Sequence, residues 1–218
     1  CSDQVDSVAV CWGCYAGSGL RGDDVLRRGD LYEKKGKNPH AFATDIDRAG
    51  DVRVLANIVP DRQWLSTMLH ELGHSVYSSK NIPRGLPYAL RTDAHPLCTE
   101  GVAMMFERFA DQAQWLAAMG VTVSDPQRFN ETARKLRRNQ LLIFSRCGQV
   151  MFRFERALYA DPDQDLNRVW WDLVEKYQQV RRPEGRDQPD YAAKIHIVIA
   201  PAYYHNYMLG EMFALQVH

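Results

Sequence analysis

The spacing of apolar positions changes along the chain, and each change marks an element. Residues 1–20 carry a mixed pattern that assigns to nothing, and Gly17, Gly19 and Gly22 then punctuate a loop. Asp23 to Arg28 has the make-up of a short helix. From Ala41 to Val59 the apolar residues Val52, Val54, Leu55 and Ile58 predict one or two strands, with Ala49-Gly50-Asp51 as the turn between them. Pro60-Asp61 closes that sheet and opens a helix expected to reach about Ser78. A loop with Pro83, Pro87 and Pro96 follows. Thr99 is placed to cap a helix running to about Met119, with Gly120 as its stop. One long helix is predicted over Pro126 to Ala160, another from about Gln164 to Val180, and a last one from about Pro201. The expected fold class is mainly α with a small antiparallel β-sheet placed before the 61–78 helix.

Composition narrows the function. The chain has 218 residues and a net charge of zero, enough for one domain with a substantial core. A neutral chain has no basic field for nucleic acid or an acidic membrane surface. No apolar run approaches the ~20 residues that a bilayer requires. Five cysteines, at positions 1, 11, 14, 98 and 147, are too few and too scattered for a disulfide framework. With no secretory leader in view, the expectation is a cytoplasmic protein. Cys11-x-x-Cys14 has the spacing of a metal knuckle or redox pair, but no second pair completes a site, and an incidental pair is the plainer reading. The chain opens on Cys1 and ends in a helical stretch, so it reads as a piece of something longer.

The chemistry sits in His70-Glu71-Leu72-Gly73-His74. Two histidines four apart project from one helix face and can hold one Zn2+ at ~2.0–2.1 Å each. Glu71 is displaced by roughly 100° around the axis, beside the metal without ligating it, where a general base for water belongs. A catalytic zinc takes a third protein ligand. Glu100 is the candidate, at the start of the helix that returns after the proline-rich loop; an ordinary first-turn glutamate is the alternative. His196 and the run Ala202-Tyr-Tyr-His-Asn-Tyr207 are a second signal. Neutral donors stabilise an oxyanion, and Tyr204 and Tyr207 lie three apart on one face; an aromatic core helix is the alternative.

Four segments carry a family resemblance: His70-Glu-Leu-Gly-His-Ser-Val-Tyr77, His40-Ala-Phe-Ala-Thr-Asp-Ile-Asp-Arg48, the Leu86-Pro-Tyr loop, and Tyr203-Tyr-His-Asn-Tyr-Met-Leu-Gly-Glu211. Over about residues 15 to 218 the chain resembles the zinc oligopeptidases of the gluzincin type. These include thimet oligopeptidase and oligoendopeptidase F, and angiotensin-converting enzyme is a relative. The resemblance implies a gluzincin metallopeptidase catalytic domain with one Zn2+ between two helices, held by His70, His74 and Glu100. It implies Glu71 as base, Tyr207 as oxyanion donor with Tyr204 as its partner, and His196 as a contact to the substrate backbone. It implies His40 and Ala41 as a substrate-binding pair on the edge strand. An extended peptide can add to such an edge through backbone hydrogen bonds.

The substrates so implied are short peptides, cut internally as by an oligoendopeptidase. A carboxydipeptidase of converting-enzyme type is the alternative, with Lys194 as the cation for a terminal carboxylate. So is an inactive zinc- or peptide-binding fragment. The chain departs from the family in three ways. The N-terminal lobe is absent from residues 1–218, so a missing lobe or second chain is a candidate partner. Met104 stands where some members carry an aspartate one turn after the third ligand, which leaves Asp93 or Glu107 to orient a zinc histidine. The tyrosine run is spaced differently from His196, so Tyr203 could replace Tyr204.

Overall fold

Asp6 starts the first helix: its side chain accepts the Val8 and Ala9 N–H groups, each at 3.1 Å, and α1 (Ser7–Gly17) follows. In this computed structural model residues 6–20, 22–77 and 82–217 are described; Cys1 and Ser78 lie outside them. The chain forms two units. The first extends to Ala133 and takes in the chain again from Gly210, and the second is Arg134–Leu209.

The first unit holds α1, α2 (Asp23–Arg28), β1 (Phe42–Asp45), β2 (Val52–Leu55), α3 (Arg62–Val76), α4 (Pro96–Glu107) and α5 (Ala113–Ala118). It also holds the first turns of α6 (Pro126–Ala160) and the end of α9 (His205–Val217). The strands pair antiparallel, with Phe42 opposite Leu55 and Asp45 opposite Val52. Val10, Cys11, Tyr15, Val52, Val54, Leu65, Met68, Leu69, Leu72 and Phe106 build one core from the helices and the sheet. Within it the Tyr15 hydroxyl donates to the Leu69 carbonyl at 2.6 Å, tying α1 to the middle of α3. The Lys37 side chain is buried and gives its ammonium to the carbonyls of Asp30, Tyr32 and Ala56 and to the Asp30 carboxylate.

The expected strands and turn are present, and so is the helix after Asp61, whose side chain accepts the Trp64 N–H at 2.7 Å. Two expectations differ. The 99–119 helix is broken: a 3-10 turn (Arg108–Asp111) follows α4, and Gln112 is extended before α5. Asn130 Oδ1 takes the Ala113 N–H at 2.9 Å, so a side chain supplies what a continuous helix would have supplied. Nor is Thr99 the cap. His95 Nδ1 accepts the Leu97 N–H and Pro96 occupies the first turn, where its missing N–H costs nothing. α1 escaped the sequence reading because Trp12 is exposed while Val10, Cys11 and Tyr15 are buried, which leaves apolar residues on opposed faces.

The second unit runs through most of α6, α7 (Leu166–Leu173), α8 (Ile195–Ile199) and the start of α9. Its core is Val150, Met151, Phe154, Trp170 and Val174. α6 spans Pro126 to Ala160 as the pattern predicts. The following helix starts at Leu166, capped by Asp165, and widens into a π turn (Val174–Gln178) that ends at Gln179 with φ 58°. The last helix begins at His205 instead of Pro201, because Ala202 holds φ 55°, outside the helical region. Among the described residues no helix is long and apolar enough to cross a membrane.

Candidate metal centre

α3 and α4 approach closely because Gly73 faces Ala103. A Cβ on Gly73 would lie 2.7 Å from the Ala103 Cα and 3.3 Å from its nitrogen. The His70–His74 face of α3 is thereby brought against the opening turns of α4. From the other side Gly210 of α9 seats against Glu100, where a Cβ would meet the Glu100 Cβ at 2.9 Å.

The result is a convergence of three side chains. His70 Nε2 and His74 Nε2 are 3.1 Å apart, and Glu100 Oε2 lies 3.6 and 3.7 Å from them. Four ligands arranged tetrahedrally at about 2.0–2.1 Å from one ion stand about 3.3–3.4 Å from one another. The observed separations bracket that value, so the donor set fits a tetrahedral zinc and leaves one position open. Glu100 is almost wholly buried, and both rings are largely so.

Each imidazole is oriented through its other nitrogen. His70 Nδ1 meets Glu107 Oε2 at 2.9 Å, and His74 Nδ1 meets Thr99 Oγ1 at 2.7 Å. As donors at Nδ1, both rings turn a lone pair at Nε2 toward the shared space. Met104 is buried one turn after Glu100, and Glu107, two turns after it on the same face, supplies the carboxylate. Of the two carboxylates that the sequence offered, Glu107 is the one that bonds His70. Thr99 escaped the sequence reading because it passes for a helix cap, and nothing in its spacing links it to His74.

Charge in this pocket is unbalanced. Burial opposes protonation of His70, but the hydrogen bond and charge of Glu107, with Glu71 and Glu100 behind it, lift the ring to about 9. Burial and the neighbouring His70 charge push His74 well below its ordinary range. Burial raises Glu71 to about 7, with the His70 charge pulling it down and Glu100 pushing it up. Two imidazoles 3.1 Å apart thus face three carboxylates in one largely buried pocket, an excess of negative charge that a divalent cation would offset.

Glu71 is 7% exposed, and the nearby backbone of Ala43 on β1 favours its charged form. Ile46 N–H bonds the Asp51 carbonyl across the turn, so the alternation of the ladder turns the Ala43 N–H away from β2. Ala41 and His40 lie immediately before β1. The His40 N–H is held by Asn38 Oδ1 at 2.9 Å, a local turn, and its ring is exposed.

His196, Tyr204 and Tyr207 gather in the second unit. His196 Nε2 is 3.1 Å from the Tyr207 hydroxyl, and the His196 ring stands edge-on to Tyr204 with centroids 5.1 Å apart. Burial raises the Tyr204 phenol above its ordinary range, with Cys147 adding to the effect. Tyr203 packs its ring against Tyr207, centroids 5.4 Å apart. Cys11 and Cys14 lie in the first-unit core as free thiols, far from the roles that their spacing could have marked.

Comparison with known proteins gives a consistent picture. The family profile Peptidase_M2, described as angiotensin-converting enzyme, matches residues 33–218. The angiotensin-converting enzyme of Sus scrofa is 26% identical over 188 residues, covering 82% of this chain and 14% of that protein. That of Theromyzon tessulatum is 24% identical, covering 82% of this chain and 30% of that protein. The chain therefore spans less than a third of the length of these relatives. Among solved structures, PZ peptidase A with an inhibitor superposes with a TM-score of 0.65 at 19% identity, over 97% of this chain and 38% of that one. An oligoendopeptidase F of Bacillus anthracis does so with a TM-score of 0.61 at 18% identity, over 99% and 36%. These two likenesses establish the mostly helical fold with its small sheet.

Proposed function

Since the chain belongs to the angiotensin-converting-enzyme family of peptidases, we propose that it is the catalytic part of a zinc metallopeptidase acting on short oligopeptides. The observation that carries this reading is the convergence of His70 Nε2, His74 Nε2 and Glu100 Oε2 at tetrahedral ligand spacing. Zinc held there would supply Lewis acidity, polarising the scissile carbonyl and acidifying a water.

The residues of the chain do the rest. Glu71 takes the proton of the attacking water and passes it to the leaving amine. A carboxyl brought to about 7 by burial is matched to both steps at neutral pH. The Ala43 backbone on β1 favours the charged form of Glu71, the form that takes a proton. The outer edge of β1, with His40 and Ala41 ahead of it, offers backbone groups to an extended substrate. Tyr207, paired with His196, donates to the developing oxyanion, and Tyr204 supports His196 edge-on.

The test is Glu71→Gln. The variant should bind zinc with unchanged stoichiometry and lose cleavage of a quenched peptide by orders of magnitude. Retained turnover would refute the base assignment.

A second reading is favoured by one fact, the 14–30% of the relatives' length that the chain covers. On this reading residues 1–218 bind zinc and peptide but cleave only with a further lobe or chain. Turnover that appears on adding such a lobe, and not before, would select it. A carboxydipeptidase would need Lys194 for the terminal carboxylate. Its ammonium sits 6.0 Å from the Trp170 ring centroid, a contact that gives the lysine a structural occupation. Product mapping on a peptide with a blocked C-terminus separates the two specificities.

A further inference from the structure

Glu155 on α6 is a buried carboxylate, 6% exposed, in the second unit. Its Oε1 accepts two hydrogen bonds, from the Tyr159 hydroxyl at 2.7 Å and from the backbone N–H of Ala202. A carboxylate in such a place costs several kcal/mol unless it is well bonded. Ala202 holds φ 55°, a region that costs a residue with a side chain roughly 1–2 kcal/mol. Two unfavourable features, a buried charge and a strained backbone, thus meet at a single N–H.

That N–H lies on the path from His196 to Tyr207. α8, which carries His196, has five residues, and its last one leads into Ala200 at φ −135° and ψ 69°. So short a helix has little of its own to fix the imidazole. Tyr207 is in the first turn of α9. The geometry of the 200–204 turn therefore decides whether the ring and the phenol meet at their 3.1 Å separation. Tyr159, four residues after Glu155 on the same helix, holds the carboxylate from below and leaves it directed at the turn.

We propose that Glu155 is a positioning residue: it holds the Ala202 turn in its left-handed conformation and so keeps His196 in hydrogen-bond register with Tyr207. The consequence for turnover rests on the reading of Tyr207 and His196 as oxyanion donors. The consequence for the His196–Tyr207 bond does not.

The test uses the full chain, with His196 side-chain resonances assigned by their loss in His196→Asn. In Glu155→Ala the 15N signals of the His196 ring should move toward those of Tyr207→Phe, and in Glu155→Gln, which keeps an acceptor for Ala202, they should stay near the parent. Turnover of a quenched peptide should fall about 10²-fold in kcat for Glu155→Ala, with KM within about twofold. That loss should vanish when Tyr207 is already Phe, since a residue acting through Tyr207 has nothing left to position. An unmoved His196 spectrum in a folded Glu155→Ala overturns the proposal, and so do kcat losses that multiply in the double variant. If Glu155→Ala does not fold, Tyr159→Phe removes a donor that holds the same carboxylate and should shift the ring signals part of the way, whereas Ala202→Gly, which takes φ 55° without strain, should leave them near the parent; unshifted signals in Tyr159→Phe overturn the proposal as well. Full turnover by Tyr207→Phe would sink the oxyanion reading alone, and the ring spectrum would still decide the role of Glu155.

Discussion

Gly73 and Ala103 are in backbone contact, so close that one added methyl group on Gly73 would lie 2.7 Å from the Ala103 Cα. The atom in the way is main chain and cannot swing aside. Gly73→Ala should therefore push α3 from α4, costing about 1–3 kcal/mol of stability as over-packing does. Because the proposed ligands come from both helices, the same change should weaken zinc binding. Ala103→Gly on the facing helix leaves that main-chain atom in place and should restore little of either loss. Equilibrium unfolding and metal titration of the single and double variants check this, and a Gly73→Ala chain with parental zinc affinity would rule it out.

The proposed metal face of α3 was legible because helical spacing and donor chemistry coincide: His70 and His74 four apart name both the element and the candidate ligand pair. Glu100 was legible from the return of a second helix after a loop of suitable length. The partners that orient the rings were only half legible. Glu107 stood as one of two candidates because it shares a face with Glu100, whereas Thr99 passed for a cap until His95 proved to hold that place. The break at Gln112 depends on Asn130, eighteen residues on, and α8 is too short for any periodicity to show. Long-range side-chain bonds decide such features, and a local pattern does not record them.

Removing an orienting partner should tell at the metal. Glu107→Gln keeps a hydrogen-bond acceptor for His70 but deletes the charge that makes the ring more basic. Thr99→Val keeps the shape beside His74 but deletes the acceptor. Loss of such partners typically lowers metal affinity about 10–100-fold. Competition against a coloured chelator should place Glu107→Gln in that range and Thr99→Val at its lower end, the threonine being neutral. Parental affinity in both would mean that the rings are held by packing alone.

The metal-free chain should lose stability between about pH 6.5 and 9. His70 rises on folding from 6.5 to about 9, so its contribution is complete below 6.5 and is lost as pH climbs through 9. Glu71 rises from 4.5 to about 7, and its contribution disappears in the same direction over a lower window. His74 is depressed, so it works the other way, but only below its ordinary value of 6.5. Above that pH His70 dominates. Zinc reverses the trend, because it must displace the His70 proton and so binds more tightly as pH rises. Thermal unfolding with zinc and with chelator, at pH 6.5 and at pH 9, should show a stabilisation by metal that widens with pH. A constant gap would contradict the assignment of His70 as a ligand.

Cys11 and Cys14 face the core of the first unit, Cys11 with no exposed surface and Cys14 with 8%. Burial, with the neighbouring Cys14 and Asp6 adding to it, pushes the Cys11 thiol far above its ordinary range, and burial raises Cys14 to about 11. Alkylation requires the thiolate and an open path, and both residues are denied both. At pH 8 neither should react with iodoacetamide while the chain is folded, and both should react once it is unfolded. Peptide mapping by mass spectrometry reads each cysteine separately, with half-buried Cys98 and Cys147 as internal comparisons. Rapid native labelling of Cys11 would mean that α1 leaves the core, and that the Tyr15 bond to the Leu69 carbonyl, next to His70, is not persistent.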